Sequence, residues 1–97
     1  MYRIRILPSA DIDLIGAEVY LGEYSPTAAD KLSEAFEKKV DALVDNPFIY
    51  MVYNAKPYFR FMSLPYEYLC FYHVDDDTQL ISIHRVLRGM RDIPNIL

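Results

Sequence analysis

The sequence predicts an α+β fold in the order β-α-α-β-β-β, with a helical hairpin packed on one face of a mainly antiparallel four-stranded sheet. Three observations lead there. Two stretches of helical periodicity follow one another in the first half of the chain. From Tyr58 onward the pattern changes to alternating or continuously apolar runs separated by turn residues. A short alternating run precedes the helices. With 97 residues, the chain is expected to form one domain spanning 1–97.

Tyr2 to Leu7 alternates, with Arg3 and Arg5 on one side and Ile4 and Ile6 on the other, as a strand with one buried face does. Pro8-Ser9 breaks it and opens a helix running to about Glu23, with Ser9 available to accept a bond from an unpaired N–H. Ile12, Ile15, Val19 and Tyr20 mark its expected buried face, and the small Gly16 is expected to let a second helix approach. Ser25-Pro26 is a second start signal, serine at the N-cap and proline behind it. Leu32, Phe36, Val40, Leu43 and Val44 form the apolar stripe of this helix, Glu34 and Lys38 stand four apart on it, and Asn46-Pro47 ends it. Phe48 to Pro57 loses periodicity and is expected as a loop.

Three strands are predicted next. Tyr58 to Leu64 places Phe59 and Phe61 opposite Arg60 and Met62. Tyr66 to Val74 is almost continuously apolar, as a central strand buried on both faces is. Asp75-Asp76-Asp77-Thr78 makes the turn, and Gln79 to Leu87 is the last strand, ended by Gly89 with a short tail beyond. With no third layer, the sheet face away from the helices is expected to be partly open. Leu69, Phe71, Ile81 and Ile83 join the helical stripes in the expected core.

Composition narrows the function classes. A hydrophobic fraction of 53% and a charged fraction of 25% exclude a disordered chain. The net charge of −4 weighs against binding dominated by phosphate contacts, which draws its affinity from positive side chains. The only cysteine, Cys70, excludes an intramolecular disulfide, fits a reducing cytoplasm, and is expected as a small buried hydrophobe. Met1 to Leu7 is too short and too charged for a secretory leader, and no apolar run reaches the length of a membrane span. Nine tyrosines point to rings at boundaries or interfaces, each with an apolar body and a polar tip.

Three strings resemble the RelE/ParE superfamily of bacterial toxins: Leu7-Pro8-Ser9-Ala10 with Asp13-Leu14 at the strand-to-helix entry, Tyr68-Leu69-Cys70-Phe71-Tyr72-His73-Val74 as the aromatic central strand, and Ile83-His84-Arg85-Val86-Leu87-Arg88-Gly89-Met90-Arg91-Asp92 as the closing motif. The resemblance implies the toxin of a type II toxin–antitoxin pair, neutralised by a cognate antitoxin in a hetero-oligomer. RelE-like members cleave mRNA on the ribosome, whereas ParE-like members act on DNA gyrase. A third possibility is a degenerate member that only binds its antitoxin.

Candidate site residues follow from side-chain chemistry and from the resemblance. Arg85, Arg88 and Arg91 form a basic cluster suited to an anionic target surface. Arg91 matches the arginine that, in the ribonuclease branch, stabilises phosphate charge; the alternative is an ion pair with Asp92. If the chain is a ribonuclease, Arg60, His73, Arg85 and Arg91 are the catalytic candidates, with histidine as the natural proton carrier near neutral pH. By strict alternation His84 shares a face with Leu80, Ser82 and Val86, and His73 with Leu69 and Phe71, so both read equally as core or boundary residues. Against the RelE-like branch stand one arginine on the Tyr58–Leu64 strand, Leu69 where that branch places arginine, and a tail, Ile93 to Leu97, without tyrosine or lysine. These departures favour the ParE-like branch. Two histidines and one cysteine without short ligand spacing make no expected metal site, and no cofactor-binding motif is present.

Overall fold

The computed structural model describes residues 1–89 and 92–97. The elements are β1 (Arg3–Ile6), α1 (Pro8–Tyr24), α2 (Pro26–Ala42), β2 (Arg60–Leu64), β3 (Tyr68–Asp75), β4 (Leu80–Arg88) and a final turn of helix, α3 (Ile93–Ile96). The four strands form one sheet in the order β1-β4-β3-β2, parallel between β1 and β4 and antiparallel elsewhere. A parallel first strand is what two intervening helices produce, because the chain must cross over the sheet before it can pair again. The predicted fold class and element order are those observed.

Local signals act as expected in α2. Ser25 accepts from the Ala28 amide at 3.2 Å, and Pro26 stands in the first turn. Leu32, Phe36, Val40 and Leu43 are buried against the sheet. Glu34 and Lys38 form no ion pair. At α1 the N-cap is Leu7, which makes no side-chain bond. Ser9 lies inside the helix and donates its hydroxyl to the His84 carbonyl at 2.7 Å, so its expected capping role is replaced by a tether to β4.

The larger correction concerns which face of α1 is buried. Ala10, Ala17 and Leu21 are buried with Leu14 packed against them, whereas Ile12, Ile15 and Val19 are 69, 60 and 60% exposed. Both sets recur at helical spacing. The space between α1, α2 and the sheet is already filled by Leu32, Phe36, Ile81 and Ile83, so the face of α1 that packs there is the one with small residues, and close packing favours it over the bulkier stripe. Gly16 does not meet α2: among the described residues, no neighbouring heavy atom lies within 4 Å of a Cβ built on it. Gly22 is the glycine that approaches α2, with its Cβ position 3.9 Å from that of Ala29.

The core has two parts. Under the helices lie Met62, Leu64, Tyr68, Cys70, Tyr72, Ile81, Ile83 and Val86. On the other face Phe59, Phe71, Leu87 and Ile93 form a second cluster, with Tyr53, Phe61, Leu69 and Ile96 packed on it. The loop before β2 and the C-terminal turn therefore cover much of the face that was expected to be open. Leu69, expected in the core, is half-buried at its edge. Cys70 is fully buried, and burial pushes its thiol up to about 12. The β3–β4 turn is closed by Asp75, whose Oδ1 accepts from the Asp77 and Thr78 amides.

Candidate functional site

A bulge decides where the candidate residues of β4 point. Phe71 pairs with Arg85, but Tyr72 pairs with Ile83, leaving His84 as the extra residue. An extra residue reverses the alternation beyond it. Val86 thus joins Ile81 and Ile83 under the helices, and His84 lies against Phe59 on the opposite face. The expectation that His84 and Val86 share a face fails for this reason.

His73 and His84 meet on the face away from the helices. The Tyr58 ring stacks on His73 at 3.7 Å, and the His73 Nδ1–H donates to the Tyr58 carbonyl at 2.9 Å. A carbonyl only accepts, so this bond places the proton on Nδ1. His84 packs edge-on against Phe59 at 5.0 Å. Burial, then the nearby His73 and Arg5, lower its pKa below 6.5, so it is uncharged at neutral pH.

Arg60 is on the other face, opposite Tyr72. Its Nη1 donates to the Tyr50 carbonyl at 2.7 Å and to the Phe48 carbonyl at 3.4 Å, and its guanidinium lies over the Phe48 ring. Arg60 pins the loop that follows α2. The sheet therefore stands between Arg60 and the two histidines.

Arg85 is engaged by Asp13 of α1. Its Nε and Nη2 reach the two carboxylate oxygens at 2.6 and 2.9 Å, a bidentate pair in which both side chains are largely buried. Asp13 Oδ2 also accepts from the Val86 amide at 3.0 Å. β1 pairs only with residues 80–83 of β4. Beyond its end, the Leu7 amide bonds the Ile83 carbonyl, Ser9 bonds the His84 carbonyl and Asp13 bonds the Val86 amide. The first turns of α1 thus continue the edge of the sheet with side chains in place of a strand.

Arg88 sits in a groove between α1 and the end of β4. Its guanidinium lies 5.5 Å from the Tyr20 ring centroid and 4.0 Å from the Glu67 carboxylate. Its Nε is buried and has no hydrogen-bond partner among the described residues. Two adjoining clefts of about 350 and 540 Å³ share Tyr20, Tyr68 and Arg88. The first extends along Ile12 and Gly16, the second to Tyr24 and Tyr66. The rim carries strain: Tyr66 and Glu67 have φ of 63° and 66°, a left-handed conformation that costs a non-glycine residue about 1–3 kcal/mol and concentrates at functional sites. The Glu67 carbonyl is held by the Gly89 amide at 2.7 Å.

Of the predicted site residues, the structure brings His73 and His84 together, ties Arg85 to α1, places Arg88 in the groove and puts Arg60 elsewhere. Arg91, with its possible pairing to Asp92, lies outside the described residues. Asp13, Gly16, Tyr20 and Glu67 were not singled out as site residues. The sequence did carry one signal for the groove, a glycine amid an apolar helical stripe. Among the described residues no group of three His, Cys, Asp or Glu side chains is placed to hold a metal ion, and no helix is long and apolar enough to cross a membrane. Residues 4–93 match the family described as ParE toxin of type II toxin-antitoxin system, parDE. No curated protein matches the chain.

Proposed function

The chain belongs to the ParE toxin family of type II toxin–antitoxin systems, and from that premise we propose that it inhibits DNA gyrase by binding it in the cytoplasm and is held inactive by its cognate antitoxin. The separation of Arg60 from His73 and His84 by the sheet carries this reading. Phosphodiester cleavage needs a base, an acid and a charge stabiliser around one phosphate. Here one candidate cation is spent on a loop and another on Asp13. The two histidines are packed among rings, with one Nδ1 committed to a carbonyl. The basic end of the chain, Arg88 with Arg91, is the proposed target contact.

The test is a pair of assays on purified toxin. With gyrase and relaxed plasmid, supercoiling is expected to fall, and Arg91→Ala is expected to weaken inhibition by roughly tenfold through one lost charged contact. With translating ribosomes, primer extension is expected to show no toxin-dependent cuts. Cleavage that disappears in folded His73→Ala or His84→Ala replaces this reading with the ribonuclease.

A further inference from the structure

We infer that the sheet face away from the helices binds the phosphoryl group of a small phosphate monoester, held by Arg5, Ser82 and His73 at the end of the sheet nearest the β3–β4 turn. The register places the three side by side. Arg5 pairs with Ser82, and Ser82 with His73. Residues directly opposite one another on neighbouring strands point to the same face. Their chain neighbours Ile4, Tyr72, Val74, Ile81 and Ile83 lie under the helices, so alternation turns all three to the opposite face. The row spans two strand spacings, about 10 Å. Arg5 is exposed, and Ser82 and His73 are half-buried. His84 adjoins them from the bulge.

Each member contributes a donor. Arg5 enters no ion pair among the described residues, and a guanidinium meets phosphate oxygens with parallel N–H groups. Ser82 adds a hydroxyl. The His73 Nδ1–H is spent on the Tyr58 carbonyl, so Nε2 donates only once the ring takes up a second proton. The groups around His73 are Tyr58 of the loop, Ser82 and His84 of β4 and Arg5 of β1, with Arg3, Leu80 and Asp75 in the next row. The one carboxylate among them, Asp75, holds two turn amides on Oδ1. Positive charge thus prevails locally in a chain of net charge −4. His84 senses the same field: burial, His73 and Arg5 hold it uncharged, and an anion beside those groups offsets part of their repulsion.

A monoester fits better than a nucleic-acid strand. Beyond Asp75 the turn continues with Asp76 and Asp77, both exposed. A polyanion running along the strands would meet these carboxylates at one end and the Phe59–Phe71 cluster at the other. A metal ion fits worse, because Arg5 repels it and, among the described residues, no third ligand stands by. Tyr58, stacked on His73 and 57% exposed, offers apolar surface to the rest of a small ester. The row lies at the opposite end of β4 from Arg88, so it is separate from the proposed target contact.

The test uses the purified full-chain toxin, with inorganic phosphate, adenosine monophosphate and a short oligodeoxynucleotide without terminal phosphate as probes. Phosphate and the mononucleotide are expected to shift the NMR signals of Arg5, Ser82, His73 and His84 together, and the mononucleotide is expected to bind more tightly. Arg5→Gln and Ser82→Ala are each expected to weaken the mononucleotide by roughly tenfold, one bond to a charged group, with the unfolding midpoint and gyrase inhibition of the parent. At about pH 8 the nucleotide is already a dianion, so a proton taken up on binding belongs to the protein. Calorimetry in two buffers of unlike ionisation enthalpy is expected to find that uptake in the parent and its loss in His73→Gln. Absence of a localised shift in the parent overturns the site, as does equal affinity of the parent and Arg5→Gln. Absence of proton uptake in the parent removes His73 from it. Tighter binding of the oligonucleotide than of the mononucleotide overturns the monoester in favour of a nucleic-acid backbone.

Discussion

Asp13 holds three donors, two from Arg85 and one from the Val86 amide, and through them fixes α1 to the part of β4 that β1 does not reach. Removing it strands a partly buried guanidinium and a backbone N–H together, and loss of one partner from such a network is costlier than the net worth of the bonds. Asp13→Ala is therefore expected to lower stability by about 2–3 kcal/mol in urea denaturation. Asp13→Asn is expected to recover only part, because an amide can still accept from Val86 but cannot serve as a bidentate anion for Arg85. A loss below about 0.5 kcal/mol, the range of an ordinary surface change, would show that the tether is not structural. In the sequence Asp13 stood out only as part of the strand-to-helix string that carries the family resemblance. Its partners are 72 and 73 residues away, and local periodicity carries no information about such a pairing.

At the scale of the element, α1 presents two apolar rows, and stability measurements distinguish them. Leu32→Ala and Phe36→Ala, in the buried face of α2, are each expected to cost about 2–5 kcal/mol through the cavities they leave. Ile15→Ala and Val19→Ala are expected to change the stability of the free protein by less than about 0.5 kcal/mol, since those side chains are mostly exposed. Gly16→Ala is expected to raise the thermal midpoint, gaining up to about 1 kcal/mol in helix propensity with no clash to offset it. Equal losses at Ile15 and Phe36 would mean that the α1 row is buried after all. A helix that keeps its bulky apolar residues outside and a glycine among them sacrifices stability of the isolated chain, which is intelligible when that face is completed by another protein.

Across the whole molecule, four segments converge on His84: Arg5 from β1, Tyr58 and Phe59 from the loop, His73 from β3, and the bulge of β4 itself. The same assembly buries His84 and surrounds it with positive charge, so its folded pKa lies below its unfolded value of 6.5. The sign follows from proton linkage. Below pH 6.5 the unfolded chain binds a proton that the folded chain resists, so the stability contributed by the neutral ring is complete above pH 6.5 and is lost as pH falls through the lower folded pKa. Urea midpoints are expected to drop between pH 7 and pH 5, and His84→Gln is expected to shrink that drop. An identical pH slope in the variant would assign the dependence to carboxylates instead.

The periodicities of the chain determined much of the architecture: two helices, the Ser25 cap, the central aromatic strand, the acidic turn and the buried Cys70 all follow from short-range pattern, because each depends on residues within a few positions of one another. The resemblance of the closing motif extended this to the family. Tertiary structure alone decided the rest. It chose the buried face of α1 by the volume left between α2 and the sheet. It moved Val86 and His84 to opposite faces through one extra residue, and it brought Asp13 to Arg85 and Tyr20 to Arg88. Each of those outcomes depends on how distant elements share space and charge, and two faces of equal periodicity are indistinguishable until a neighbour occupies one of them.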